Sequence, residues 1–130
     1  MDVDAVEIYI GYTFRNRELL EEALNPFEYK RLGFLGDKVV GLLLLDSWYR
    51  TGADCARGFR QLQRYATNKA MASEARRAHF DRMNPPGSRH YQLLGIHGLA
   101  TEVEAVVGAV WIDSERDWAV TDRCYARIKA

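Results

Sequence analysis

The feature that most constrains this fold is a proline-free stretch from about Tyr29 to Arg50 whose apolar residues recur at helical spacing. Its apolar positions are Leu32, Leu35, Val39, Leu42, Leu43 and Trp48. The spacing predicts one long helix that ends at Thr51-Gly52, because glycine readily adopts the left-handed conformation of a helix C-cap. The run from Leu42 to Leu45 is apolar on all sides, so we expect this helix to lie centrally in the core or also to contact a partner.

The rest of the chain shows further helical patterns. They predict a short helix from Arg17 to Leu24, a stretch from Arg57 to Ala78 with Phe59 facing inward, a helix from Leu99 to Trp111, and a last helix through Trp118 and Tyr125 that Asp113 or Ser114 caps. The segment Asn84 to Ser88 is typical of an exposed loop. No two alternating patterns flank a turn as they would in a β-hairpin, so the predicted fold class is all-α.

Composition and charge bound the organisation of the chain. The chain has 130 residues, of which 48% are hydrophobic, enough to build the core of one compact domain over residues 1–130. Lys and Arg together number 18, as do Asp and Glu, so the formal net charge is zero. A protein without net charge exerts no overall attraction on a polyanion, and any contact with nucleic acid must come from a local basic surface.

Cysteine usage and the N-terminus predict an intracellular protein. Cys55 and Cys124 are far apart and lack metal-type spacing, so we expect two free thiols. The N-terminal residues are acidic where a secretory signal would be basic. The uncharged apolar run from Val39 to Leu45 is much shorter than the roughly 20 residues that cross a bilayer, so no membrane contact is expected.

Two segments carry the residues with the clearest chemical potential. They run from Lys30 to Asp37 and from Thr101 to Ala109, and each places one acid, Asp37 or Glu104, in an otherwise apolar helix. A carboxylate removed from water is destabilising unless it is paired or binds a metal. For either acid alone, an ion pair or a helix-cap contact would be a sufficient explanation.

Together, the two segments resemble the signature segments of the ribonuclease III family, which read roughly Glu-Arg-Leu-Glu-Phe-Leu-Gly-Asp and Asp-x-x-Glu-Ala. The similarity extends to Ile10–Phe14 with Leu19-Leu20 and Ala23-Leu24, which resemble the family's opening helices. Asn68 with Ala72 resembles its middle helix. The similarity covers about Ile10 to Asp113. Within the family the chain most resembles small fungal proteins that contain this domain and little else, so we expect no double-stranded RNA-binding domain.

The resemblance implies an all-helical endonuclease domain that acts on double-stranded RNA, with Mg²⁺ or Mn²⁺ activating a water. Asp37 and Glu104 stand at the family's catalytic metal-ligand positions, whereas Gly33 and Thr101 occupy the places of two further acids. Lys30 replaces the signature's first acid. We therefore expect weak metal binding and lost or strongly reduced cleavage. The alternatives are an active endoribonuclease with an unusual site and a non-catalytic dimerisation module.

Two surfaces are predicted to serve partners. Arg57, Arg60 and Arg64 lie at steps of three and four on one helix face, which is either a phosphate-contacting ridge or a solvated surface. Domains of this family pair through the signature helix, so the resemblance implies a homodimer. Its predicted interface consists of Phe34, Leu35, Val39 and Leu42; alternatively, all four belong to the core. His79, His90 and His97 lack the spacing of a zinc site.

Overall fold

The computed structural model describes residues 3–78, 80 and 95–129, which form seven α-helices and no β-strand, as predicted for the fold class. The helices are α1 (Val3–Ile10), α2 (Arg17–Ala23), α3 (Lys30–Thr51), α4 (Cys55–Tyr65), α5 (Asn68–Arg77), α6 (Ile96–Asp113) and α7 (Trp118–Lys129). The predicted loop Asn84–Ser88, His79 and His90 lie outside the described residues.

Helices α3 and α6 form the centre of the domain, and they pack against each other more extensively than any other pair of described helices. Helix α6 is buried over most of its length, including every position from Ala105 to Val110. Such an all-round apolar helix is stable in water only when other elements cover it on several sides. Helix α3 covers one side of α6, and α5 covers another.

The long helix α3 matches its prediction at both ends. It stops at Gly52, whose φ of 73° is a left-handed C-cap conformation and whose N–H donates to the Tyr49 carbonyl. Its leucine run is divided between core and surface: Leu43 and Leu44 are buried, whereas the side chain of Leu42 is 56% exposed. The helix is therefore central to the core and still presents apolar surface outward.

The predicted helix from Arg57 to Ala78 is wrong as a single element. The structure divides it into α4 and α5 at Ala66 and Thr67, and the Thr67 hydroxyl caps α5 by accepting a hydrogen bond from the Ala70 N–H at 3.2 Å. The break changes the direction of the chain, so one continuous periodicity does not describe both halves. Phe59, predicted to face inward, is accordingly 62% exposed.

The N-terminal segment also departs from expectation. Helix α1 ends at Ile10, and the following residues to Asn16 form a turn and loop rather than a helix. Asp113 anchors this loop by accepting hydrogen bonds from the Tyr12 hydroxyl at 2.6 Å and from the backbone N–H groups of Arg15 and Asn16 at 2.8 and 2.9 Å. Although burial opposes ionisation, these hydrogen bonds hold the pKa of Asp113 below its usual value.

Asp113 was one of two predicted caps for the last helix, and the structure gives it a different role. Helix α7 begins only at Trp118, and Asp117 caps it by accepting a hydrogen bond from the Val120 N–H at 3.1 Å. Cys55 is exposed, Cys124 is buried and both are free, as predicted. None of the described helices combines the length and apolar character that crossing a membrane would require.

Candidate active site

Two glycines set the distance between α3 and α6 and so build the site. A Cβ atom added to Gly36 would overlap the backbone carbonyl oxygen of Glu104. A Cβ atom on Gly108 would lie 2.5 Å from the Leu32 carbonyl oxygen, closer than real Cβ contacts occur. The two backbones therefore touch where larger residues would hold them apart. This contact brings the helix surface carrying Glu104 directly against the surface carrying Asp37.

The structure confirms that Asp37 and Glu104 meet, because their side chains form a hydrogen bond. Burial, the hydrogen bond with Asp37 and the charge of Asp37, in that order, raise the pKa of Glu104 to about 8. Lys38 opposes this shift, and its Nζ lies 3.4 Å from Oδ2 of Asp37. Near neutral pH the Glu104 carboxyl therefore favours its protonated form, beside the half-exposed Asp37.

The two positions where the family has further acids also face each other. A Cβ atom on Gly33 would lie 2.8 Å from the Cγ2 methyl of Thr101. The Thr101 hydroxyl points to its own helix and donates to the His97 carbonyl at 2.8 Å. Lys30, the first residue of α3, is exposed. This part of the crossing is filled by a methyl group and backbone where two carboxylates would otherwise stand.

A neighbouring acid does not replace the missing pair. Glu102 is fully buried, and with burial itself it raises the pKa of Tyr29, which places the carboxyl on the Tyr29 side of α6. This agrees with the turn of about 100° between successive helical residues. Among the described residues, no group of three or more His, Cys, Asp or Glu side chains is positioned to hold a metal ion.

The carboxylates at the α3–α6 crossing are the residues that would hold the divalent cation that the resemblance implies. Mg²⁺ retains most of its waters and can bind through one or two carboxylates together with substrate phosphates. Asp37 and Glu104 supply two carboxylates, but Glu104 must first lose a proton that burial stabilises. Two carboxylates are enough for a cation that also takes water and phosphate ligands, but they are half of the four-acid set that the family resemblance implies.

The predicted arginine row is also present as a cluster. Arg57, Arg60 and Arg64 are exposed on α4, and together with Gln61 and Tyr65 they line a depression of about 430 Å³. Asp54 caps the helix N-terminus by accepting a hydrogen bond from the Arg57 N–H at 3.0 Å. The three guanidinium groups thus share one open surface, as a phosphate-contacting ridge requires.

The four residues predicted for a dimer interface divide into two kinds. Phe34 is 75% exposed and Leu42 is 56% exposed, and Leu35 is partly buried. Val39 is only 7% exposed in the single chain because it packs into the core. A groove of about 510 Å³ has an apolar floor made by the exposed Leu42 together with Leu45 and Leu62, and it continues to Asp37.

Sequence reasoning missed the structural role of Gly36 and Gly108. A glycine inside a helix that otherwise contains good helix formers was the available signal, since it often marks a close backbone approach. It also missed Glu74, which is only 2% exposed within α5. The residue pattern of this helix does not indicate that an acid is buried there. His97, dismissed as a zinc ligand, instead lies 2.9 Å from the Asn68 side-chain amide through its Nδ1 atom.

Comparisons with known proteins agree with this geometry. No protein-family model matches the chain. Ribonuclease 3 of Shewanella baltica strain OS185 is 31% identical over 116 residues, covering 82% of this chain and 51% of that protein. Ribonuclease 3 of Vibrio cholerae is 30% identical over 120 residues, covering 85% and 53%. The chain therefore spans about half the length of the curated relatives it matches, and these bacterial proteins do not test the resemblance to small fungal ones.

The solved structures show the same fold. A nuclease domain of ribonuclease III from Campylobacter jejuni superposes with a TM-score of 0.83 at 18% identity, covering 98% of this chain and 96% of that one. A second crystal structure of that nuclease domain gives a TM-score of 0.80 over 98% and 93%. Because the sequence similarity and the shared fold both cover most of the chain, this protein belongs to the ribonuclease III nuclease-domain family.

Proposed function

We propose that this chain binds double-stranded RNA in RNA processing and that its cleavage activity is lost or strongly reduced. The observation that carries the proposal is the composition of the α3–α6 crossing, where Asp37 and Glu104 are the two acids that meet and Gly33 packs on Thr101. Metal-assisted hydrolysis needs a bound cation that activates a water and stabilises the leaving oxygen. Two ligands, one of them with a raised pKa, hold such a cation weakly and orient it poorly.

The arginine row supports the RNA-binding part of this function. Double-stranded RNA is recognised largely through its shape, its phosphates and its 2′-hydroxyls, which exposed guanidinium groups contact without reading sequence. Arg57, Arg60 and Arg64 provide three such groups around one depression. Because the whole chain has no net charge, this local surface carries the electrostatic attraction, and binding should weaken steeply as salt rises.

We further propose a homodimer through α3. Phe34 projects an exposed aromatic ring, and the groove with its floor of Leu42, Leu45 and Leu62 offers an apolar recess on the same side of the molecule as Asp37. A two-fold interface needs such a self-complementary arrangement, in which a projection of one protomer meets a recess of the other. One structural neighbour is described as showing flexibility in a region involved in dimer formation.

The deciding experiment for catalysis is cleavage of labelled long duplex RNA with Mg²⁺ or Mn²⁺. The purified protein is compared with the Asp37→Ala/Glu104→Ala variant, which removes both carboxyls. The proposal expects no cleavage above that of the variant while the folded protein still binds the RNA. The fact that the two acids do meet favours one competing candidate, an endoribonuclease with an unusual site. Metal-dependent cutting that disappears in the variant would establish that candidate instead.

RNA binding is tested separately by fluorescence anisotropy with a short labelled duplex at several salt concentrations. The Arg57→Ala/Arg60→Ala/Arg64→Ala variant should bind at least about tenfold more weakly, since each phosphate contact contributes to the salt-dependent attraction. A matched control removes three exposed arginines elsewhere, at Arg15, Arg50 and Arg116. Equal weakening in both variants would show that only total charge matters, and the ridge would be rejected.

Oligomeric state is measured by light scattering at micromolar concentration. The unmodified protein should be a dimer, and Phe34→Ser should shift it toward the monomer because the substitution removes the projecting ring. Ile8→Ser is the control, because Ile8 is comparably exposed at 78% but lies on α1. A monomeric unmodified protein would refute the homodimer.

A further inference from the structure

A second basic depression adjoins the arginine row where α4, α5 and α7 meet. It has a volume of about 500 Å³, and its polar lining consists of Arg64, Tyr65, Ser73, Glu74, Arg77 and Lys129. Arg64 and Tyr65 also line the first depression. The two depressions therefore form one continuous surface that runs from the start of α4 across α5 to the end of α7.

Two tyrosine rings gather the cations of this second depression. The Arg64 Cζ atom and the Lys129 Nζ atom each lie 5.2 Å from the centre of the Tyr65 ring. Lys129 Nζ also lies 5.2 Å from the centre of the buried Tyr125 ring. Cation–π attraction thus holds a lysine and an arginine around one ring despite the repulsion between like charges. Bringing cations together in this way creates a local field that an anion would neutralise.

The acid beneath these cations does not balance them. Glu74 is 2% exposed, and its Oε2 has no hydrogen-bond partner among the described residues. Burial raises its pKa to about 7, although the positive charges of Arg77 and Lys129 oppose the shift. Among the described residues that line the depression, Arg64 and Lys129, which both contact the Tyr65 ring, outnumber Glu74 even when it is ionised. Near neutral pH, where part of the carboxyl population is protonated, the excess of positive charge is larger still.

We propose that this depression is a second phosphate-binding site, in which Arg64, Arg77 and Lys129 hold a backbone phosphate of bound RNA and the exposed Ser73 hydroxyl donates a hydrogen bond to it. This inference rests on the proposed RNA binding and lengthens its contact surface beyond α4. Guanidinium and ammonium groups converging on one pocket are well suited to a phosphate oxygen. The site makes no contact with bases, so it contributes affinity and salt dependence rather than sequence preference.

The test compares two matched double variants in duplex-RNA binding across a salt series. Arg77→Ala/Lys129→Ala removes two cations of the depression, whereas Arg76→Ala/Arg123→Ala removes two exposed arginines of the same helices, α5 and α7, that do not line it. The first variant should bind roughly five- to tenfold more weakly at 100 mM salt, with a slope of log affinity against log salt reduced by about two. The control should change affinity less than about twofold.

A titration with inorganic phosphate tests the depression independently of RNA binding. In a titration with phosphate at constant ionic strength, the backbone NMR signal of Ser73 should shift in the unmodified protein and stay still in the Arg77→Ala/Lys129→Ala variant. A nucleoside monophosphate is titrated in the same way. Comparing the affinities for inorganic phosphate, the nucleoside monophosphate and duplex RNA distinguishes a free phosphate ligand from a backbone phosphate. The RNA should bind most tightly, because neighbouring contacts on α4 act with the pocket.

The outcomes are distinguishable from a failure of the proposed function. If the α4 triple variant loses RNA while Arg77→Ala/Lys129→Ala binds normally, the second site is refuted and RNA binding stands. Equal losses in the two double variants also refute it. If the unmodified protein binds no RNA, the proposed function fails; phosphate-induced shifts at Ser73 would then support a site for free phosphate or nucleotide, and their absence would refute any phosphate site.

Discussion

The two halves of the α3–α6 crossing differ in how much freedom their residues have. At one end, Gly36 lies against the Glu104 backbone and Gly108 against the Leu32 carbonyl, so each position has room for a hydrogen atom only. One turn earlier, Gly33 meets the methyl group of Thr101, a contact that side chains alone determine. The fold depends on the first contact, whereas only metal chemistry depends on acids at the second. The fold is therefore compatible with Gly33 and Thr101 at the two positions where the family resemblance implies acids.

The largest effect is expected from Gly36→Ala. The new Cβ would overlap the Glu104 carbonyl, and because backbone cannot move aside as a flexible side chain can, the helices must separate. We expect a loss of at least about 3 kcal/mol in the free energy of unfolding, at the upper end for overpacked positions. Urea denaturation at fixed protein concentration measures it.

Gly41→Ala is the matched control in the same helix. A Cβ atom at Gly41 meets nothing within 4 Å, so only helix propensity changes, and the variant should be more stable by about 0.5–1 kcal/mol. If both alanine variants lose similar stability, the difference between the two halves of the crossing does not come from backbone contact.

The second prediction concerns the proton held at Glu104. Its pKa rises from 4.5 in the unfolded chain to about 8 in the fold, so the folded state binds more protons between these values. Stability therefore falls as pH rises from about 4.5 to 8 and then levels off. Glu104→Gln, which keeps a hydrogen-bond donor toward Asp37, should remove this loss and be more stable by roughly 2 kcal/mol at pH 8.5.

The comparison is made by urea denaturation at pH 4.5 and pH 8.5. Glu74→Gln is the parallel variant, since burial raises the pKa of Glu74 to about 7 at a place remote in sequence from the carboxylate pair. The Glu74→Gln variant should likewise be more stable than the unmodified protein at high pH, and this difference in stability should be complete by about pH 7. If Glu104→Gln and the unmodified protein have the same free energy of unfolding at both pH values, Glu104 does not hold a proton at the crossing.

The third prediction tests whether Gly33 is held open by Thr101. In the unmodified background, Gly33→Ala should destabilise the fold by about 1 kcal/mol, because the added Cβ lies 2.8 Å from the threonine methyl. In the Thr101→Ser background that methyl is absent, and alanine should become the more stable residue through its helix propensity. Thermal unfolding of the four proteins gives a coupling energy of about 1–2 kcal/mol. Additive effects would mean that the two positions do not touch.

How far the sequence predicted this structure depended on whether the signal was local. The span of α3 follows from apolar spacing and the Gly52 stop, and both acids of the site follow from a motif within single helices. The break before α5 was missed because neither proline nor glycine marks it, and Thr67 caps a helix as an ordinary-looking residue in the middle of a periodic pattern. Local patterns do not show where a chain changes direction without a breaker.

The site shows the same limit. The positions of Asp37 and Glu104 were predicted, but the raised pKa of Glu104 was not, because it arises from burial and from a contact between residues far apart in sequence. The burial of Val39 in the core was not predicted either, since spacing identifies an apolar face without saying what covers it. Tertiary packing decides which side of an apolar helix is core and which remains exposed.

The smallest effect is expected from Lys38→Gln. The Lys38–Asp37 pair is solvent-exposed, with side-chain accessibilities of 77% and 48%, and such pairs contribute less than about 0.5 kcal/mol. Lys38 nevertheless lowers the pKa of Glu104 in the folded state, so its removal should raise that pKa further. A ¹³C NMR titration of the Glu104 carboxyl should show an upward shift of the midpoint while stability at pH 4.5 stays constant. A downward shift would mean that Lys38 acts on the pair through structure and not through its charge.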